Sequence, residues 1–166
     1  MSNVTLVEHS DFNSRMLRQL SENCPGAFQH SLQVANLAAA ASNKIGANAQ
    51  LVRTGALYHD IGKLANPAFF TENQSGGINP HDKLTYEQSA QVIISHVKDG
   101  VKIADRIQLP PRVKDFIVTH HGKSKTNYFY NSFKNKYPDK EIKEELFTYP
   151  GPTPRTKETA ILMMAA

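Results

Sequence analysis

The chain has 166 residues, 40% hydrophobic and 20% charged, the size and balance of one ordinary globular domain with a core of its own. One cysteine, Cys24, excludes a disulfide framework and fits a reducing compartment, and no run approaches the ~20 apolar residues a membrane helix needs, so this chain reads as soluble. The net charge of +4 suits an anionic substrate, but lysine and arginine are spread along the chain, not gathered into the stripe that duplex nucleic acid requires.

The first eight residues lack a basic segment followed by an apolar one, so they are not a signal peptide. His9 falls in a polar, non-helical stretch and reads as surface. Ser14 to Ser21 fits a short amphipathic helix. Cys24, before Pro25-Gly26, reads as a small half-buried side chain at a helix entrance. Pro25 then opens a long helix that Gly46 stops near Ile45, with His30, Val34, Leu37 and Ala41 on one face. A third helix is expected from Asn48 to Ile61, with Gly62 as its C-terminal glycine. Residues 65–83 lack periodicity and carry Pro67, Gly76, Gly77 and Pro80, the composition of a long functional loop.

Thr85 with Gln88 forms a capping box for a helix that runs to about Ile107, where Val92, Ile93, His96, Gly100 and Ile103 share a side. Pro110-Pro111 breaks it and starts another, with Val113, Phe116, Ile117, His120 and His121 inward and Gly122 as its end. Tyr128 to Tyr137 fits an aromatic-rich helix. Residues 149–154 form an extended, proline-rich connector, and Thr156 caps a last helix over Ala160 to Ala166. Strand alternation is absent, so the fold class is all-α.

The chemistry concentrates in Gly55 to Leu64. An apolar helix ends on His59 and Asp60, with Lys63 three residues beyond. A lone histidine on an apolar face is usually a hydrogen-bonded core residue. Here the oddity recurs on four helices, at His30, His59, His96 and His120-His121, with a carboxylate beside one of them. Each buried imidazole would need its own partner, whereas one shared metal site satisfies them together. The implied chemistry is metal-assisted hydrolysis. Nitrogen-rich ligation argues against magnesium or calcium and for iron, manganese or another transition metal.

The chain resembles the HD-domain phosphohydrolase superfamily. The resemblance rests on His59-Asp-Ile-Gly-Lys63 and on His30, His96 and His120-His121 in the expected order. Pro25 to Asn36, Asn79 to Leu84, Ile94 to Gly100, Thr119-His-His-Gly122 and Tyr149-Pro-Gly-Pro152 narrow it to the cytoplasmic HD domain of the seven-transmembrane-receptor HD proteins, bacterial cyclic di-AMP phosphodiesterases. The HD-GYP branch fits less well. It carries Glu after the paired histidines, where this chain has Gly122, and its Gly-Tyr-Pro loop has no counterpart here.

The resemblance implies an HD helical bundle with long loops over a metal pocket, covering residues 1–166 as one domain. It implies two divalent metals, iron by preference or manganese, bridged by Asp60. His30 and His59 would hold one metal; His96, His120 and His121 the other. A metal-bridging hydroxide would then cut cyclic di-AMP to linear pApA. Lys63 is either a solvated lysine after a helix stop or a contact to phosphate; the resemblance favours the contact, and with Asp60 it makes the expected catalytic pair. His81, Tyr128 and Tyr130 are candidate substrate contacts, although a Tyr-Phe-Tyr run also reads as the core and surface of an ordinary helix. The family places an aspartate ligand after a Met-Ala step in the last helix, where this chain has Met164-Ala165-Ala166. The expectation is a C-terminally cut fragment of a membrane-anchored protein, with the His30/His59 metal weakly held and turnover slow. The competing readings are a degenerate nucleotide-binding signalling module and a mononucleotide phosphohydrolase.

Overall fold

The computed structural model describes residues 2–11 and 14–166. Eight helices run in chain order among them: α1 Asn3–His9, α2 Arg15–Asn23, α3 Pro25–Ile45, α4 Ala49–Tyr58, α5 Tyr86–Arg106, α6 Pro111–Thr119, α7 Asn127–Lys136 and α8 Lys157–Ala165. Extended pairing among the described residues is limited to one antiparallel bridge, Lys125 with Thr148. The expected all-α class is the observed one.

Local chemistry sets most helix ends. Pro25 stands in the first turn of α3, and Gly46 closes it at φ 71°, a left-handed position where glycine has no Cβ to clash. The Asn48 side chain accepts from the Leu51 N–H at the start of α4. Thr85 and Gln88 form the reciprocal capping box of α5, and Thr156 with Thr159 does the same for α8, which begins at Lys157, three residues before the expected start.

The core is one cluster in which α3 and α4 pack against each other and against α6 and α8. Leu17, Leu20, Leu51, Leu57, Phe116, Ile117 and Leu162 are buried in it. The expected inward face of α3 holds in part: Val34 is buried and His30 faces the His59–Asp60 pair, but Leu37 is 61% exposed and Ala41 is exposed, while Ala35, Ala38, Ala39 and Ser42 are buried. Alanines lie all round this helix, so periodicity does not single out a face; the small side chains go inward because they let α4 approach closely. Cys24 is wholly buried, not half-buried, and burial pushes its thiol up to about 11, so it is a packing residue. Helix α1 was not expected. Its Leu6 is buried, and its last residue, His9, accepts the Tyr58 hydroxyl through its carbonyl at 2.6 Å.

Two further differences shape the site. The helix expected to reach Ile61 ends at Tyr58, and a 3-10 turn over Ile61–Ala65 follows. Gly62 is not its C-terminal glycine. It lies inside that turn, against α5, where an added Cβ would stand 1.7 Å from the His96 carbonyl oxygen. The loop over 65–83 is also partly ordered, with 3-10 turns at Pro67–Phe69, Thr71–Asn73 and Pro80–Lys83. It is pinned to the start of α3: the Asn73 side chain accepts the Ala27 N–H at 3.0 Å, satisfying one otherwise unpaired donor of the first turn.

Candidate metal centre

The histidines of the expected set come from four elements that face one point, two of them at helix ends and two within helices. His59 is the C-cap of α4, and Asp60 follows it into the Ile61–Ala65 turn. His96 lies in the middle of α5, His120 caps the C-terminus of α6, and His30 lies one turn into α3. Asp60, His59, His96 and His120 are each 3% exposed or less.

The tautomers follow from the backbone. The Nδ1 of His59 faces the Ala56 carbonyl at 2.5 Å, that of His96 the Ile93 carbonyl at 2.5 Å, and that of His120 the Ile117 carbonyl at 2.8 Å. A ring nitrogen against a carbonyl must donate, so Nδ1 carries the proton in a neutral ring and each Nε2 presents a lone pair. Those three Nε2 atoms converge on Asp60, at 3.3 Å from Oδ2 for His59, and at 3.4 Å and 3.3 Å from Oδ1 for His96 and His120. The Nε2 atoms of His96 and His120 are themselves 3.3 Å apart. Asp60 Oδ1 is buried with no hydrogen-bond partner. Lone pairs facing a carboxylate repel one another in a low-dielectric interior, and a cation between them removes the conflict.

Three of the rings are kept neutral near neutral pH. Burial pushes His120 down to about 4 and lowers His121 and His30 as well. Burial would raise Asp60, but His59 and Lys63 beside it hold its carboxyl well below the usual carboxylate range. The donors fall into two groups whose ligand atoms lie within 4.8 Å of one another: Asp60, His96, His120 and His121, and His30, His59 and Asp60. The residues present therefore fit divalent transition metal, with Asp60 common to both groups.

Lys63 reaches the same carboxylate, its Nζ 3.0 Å from Asp60 Oδ2, and it also bonds Glu72. Burial would lower its pKa, but the two carboxylates raise it, so the ammonium charge is kept. Glu72 was not legible in the sequence. It comes from the Thr71–Asn73 turn, and only the packing of that turn on α3, where a Cβ on Gly26 would meet the Glu72 carbonyl oxygen at 1.7 Å, brings it here. Tyr149 was missed as well. Its ring stacks on His121 with centroids 4.1 Å apart and 10° between planes, holding that imidazole against the centre.

A cleft of about 1410 Å³ opens beside His121 and Tyr149. His81 lines it, with Nε2 2.7 Å from the Phe69 carbonyl and its ring between those of Phe69 and Phe129 at 5.1 Å and 5.0 Å. Tyr128, 76% exposed, also lines it. The structure does not bring Tyr130 to this wall. Its ring packs on Phe147 and its hydroxyl donates to Glu144 at 2.9 Å; Phe129 takes the place in the cleft.

The chain is similar to one protein family and to several known proteins. The HD domain family model matches residues 27–165. Cyclic-di-AMP phosphodiesterase PgpH of Listeria monocytogenes is 48% identical over 157 residues, covering 95% of this chain and 22% of that protein. PgpH of Bacillus subtilis is 43% identical over 165 residues, covering 99% of this chain and 23% of that protein. The crystal structure of the L. monocytogenes PgpH HD domain in complex with cyclic-di-AMP superimposes with a TM-score of 0.86 at 47% identity, covering 92% of this chain and 71% of that one. The chain thus spans less than a quarter of the length of these curated relatives. Among the described residues no helix is long and apolar enough to cross a membrane. With the family model matching most of its length and the His/Asp cluster in place, the chain belongs to the HD domain family.

Proposed function

We propose that this domain is a metal-dependent phosphodiesterase that hydrolyses cyclic di-AMP to linear pApA. The observation that carries the reading is the convergence of three imidazole lone pairs on one buried carboxylate, at 3.3–3.4 Å from Asp60. The 47% identity to an HD domain crystallised with cyclic-di-AMP supports the choice of nucleotide.

In this reading Asp60, His96, His120 and His121 hold one divalent metal and His30, His59 and Asp60 a second, with iron or manganese suited to the nitrogen-rich donors. Bound there, the metals supply activated water and neutralise charge on the phosphodiester. The chain's own groups do the rest. The three backbone carbonyls at Ala56, Ile93 and Ile117 lock the imidazole tautomers, so no ring must turn or lose a proton to accept its ion. Lys63 keeps its positive charge at the edge of the centre, where an ammonium can hold a phosphate oxygen. The net step is hydrolysis of one P–O3′ bond, with the proton of water passing to the leaving 3′ oxygen and a 5′-phosphate left on the product. His81, Phe129 and Tyr128 give the adenines a wall on which to lie. The resemblance to the seven-transmembrane-receptor HD proteins is what favours a membrane-anchored parent with this domain on the cytoplasmic side.

The test is to load the domain with manganese or ferrous iron and identify products of cyclic di-AMP by mass spectrometry. The expected product is pApA. Faster cleavage of mononucleotides overturns the substrate assignment. Tight binding of cyclic di-AMP without any cleavage, in a protein carrying both metals, makes it a nucleotide-binding signalling module instead.

A further inference from the structure

The cleft is larger than a compact ligand at the metal corner requires. Its volume of about 1410 Å³ exceeds the ~300–1,000 Å³ of sites for drug-sized molecules, and its walls continue from His121 and Tyr149 to Lys136, Tyr137 and Lys140. The far end has its own chemistry. Tyr86 opens α5 and Tyr137 caps the end of α7, so two elements bring their rings to one place. The Lys136 ammonium lies over both rings, 5.7 Å from the Tyr86 centroid and 5.5 Å from that of Tyr137; the Lys140 ammonium lies 4.4 Å from the Tyr137 centroid. Both lysines are exposed and both rings are partly exposed. Nearer the centre, Lys63 holds Glu72, Lys125 pairs with Glu144 at 3.5 Å, and Asp82 and Lys83 share the wall; Glu87 lies beside Tyr86. The far end, where Tyr86 lies ten residues before His96 on α5 and so about 15 Å away, carries two lysines against one carboxylate, Glu87.

Lysines interleaved with aromatic faces are the pattern that tracks a single strand, since the ammoniums follow the phosphates and the rings accept any base. We propose that the Tyr86, Lys136, Tyr137 and Lys140 end of the cleft is a subsite for the tail of a linear single-stranded oligonucleotide. The phosphodiester nearest the end of such a strand lies at the His/Asp corner, and the domain cuts short linear strands as well as its cyclic substrate. This rests on the phosphodiesterase reading above. The step is the same hydrolysis: water oxygen bonds to phosphorus, the P–O3′ bond breaks, the 3′ oxygen takes the proton, and the products carry a 3′-hydroxyl and a 5′-phosphate. A compact cyclic dinucleotide at the corner leaves the far end empty, so the two substrates depend on it differently.

The experiment compares the wild-type chain with Lys136→Glu/Lys140→Glu, whose exposed positions leave the core intact, as an unchanged melting temperature would verify. Fluorescence anisotropy measures binding of labelled hexa-adenylate and of cyclic di-AMP across a salt series without added metal, and product analysis follows both after manganese loading. Expected for the double variant is a loss of at least about tenfold in hexa-adenylate affinity and a salt slope smaller by about 1.4, the value for two phosphate contacts on a single strand, with cyclic di-AMP affinity changed less than about twofold. Tyr137→Ala should weaken the hexamer by a similar factor at high salt, where stacking persists. Equal losses on both ligands, an unaffected hexamer, or equal competition by a poly-glutamate peptide would each overturn the subsite. Cleavage of cyclic di-AMP with no binding of the hexamer sinks this proposal and leaves the phosphodiesterase reading standing. Binding and cleavage of the hexamer without any action on cyclic di-AMP does the reverse.

Discussion

Replacing Gly62 by alanine tests how closely the metal corner depends on one helix contact. The added Cβ would stand 1.7 Å from the His96 carbonyl oxygen, 2.6 Å from the Gly100 nitrogen and 2.7 Å from the His96 carbonyl carbon. All three are backbone, so no side chain can rotate away. Reaching an ordinary contact of ~3.5 Å requires α5 and the Ile61–Ala65 turn to separate by about 1.8 Å. Overpacking a tight site costs about 1–3 kcal/mol, and a contact with rigid backbone belongs at the upper end, about 3 kcal/mol. For a chain of this size that lowers the melting temperature by about 6–12 °C. The same separation pulls Asp60 from His96, now 3.4 Å apart, so metal affinity should fall by at least about tenfold. Thermal denaturation by circular dichroism and metal titration by calorimetry read the two effects. Gly77→Ala is the control, because its Cβ meets nothing within 4 Å, and it should stay within about 0.5 kcal/mol of wild type. Gly100→Ala should be milder than Gly62→Ala, since its nearest contact is the Ile117 side-chain methyl at 2.8 Å. A Gly62→Ala protein that melts with the wild type and binds metal equally well would refute the reasoning.

Three other outcomes are expected. Asp60→Ala should lose more metal than any single histidine variant, because Asp60 is the donor common to both groups; normal metal content by elemental analysis would refute its shared role. Metal-free protein should lose stability as the pH falls from about 6.5 toward 4. There the unfolded chain takes up protons that buried His120, pushed down to about 4, refuses until the lower end of the window; the loss is on the order of 3 kcal/mol, and a flat urea-unfolding midpoint between pH 7 and 4.5 would contradict it. Cys24, wholly buried and pushed up to about 11, should not react with a thiol reagent at pH 8 until the protein unfolds, and rapid labelling of the native protein would show that the α2–α3 junction is open.

Most of the helical framework was legible because the signals that end a helix are local. Pro25, Gly46, Asn48, the Thr85–Gln88 box and Thr156 each act on backbone groups within a few residues of themselves. The histidine set was legible for a different reason: buried imidazoles on several helices, with a carboxylate beside one, make poor core unless they share a partner. The early end of α4 and the burial of Gly62 were not, because a helix end and a tight helix contact both call for glycine, and only the position of α5 separates the two uses. Helix α1 was not legible because its seven residues are too few to show a helical period; Leu6 has value only once α4 is there to cover it.

The sequence alone determined the class of the fold, the order of the helices after α1 and which histidines gather about Asp60, since these depend on residue type and on spacing along the chain. The tertiary structure decided what depends on distance between segments far apart in the chain. It placed Glu72 on Lys63 across a loop and laid Tyr149 flat on His121. It put Phe129 in the cleft wall and turned Tyr130 out to Glu144, although adjacent residues on a helix look alike to any local rule. It also left α3 to bury its alanines and expose Leu37, because the face a helix hides is chosen by how near its neighbour can come.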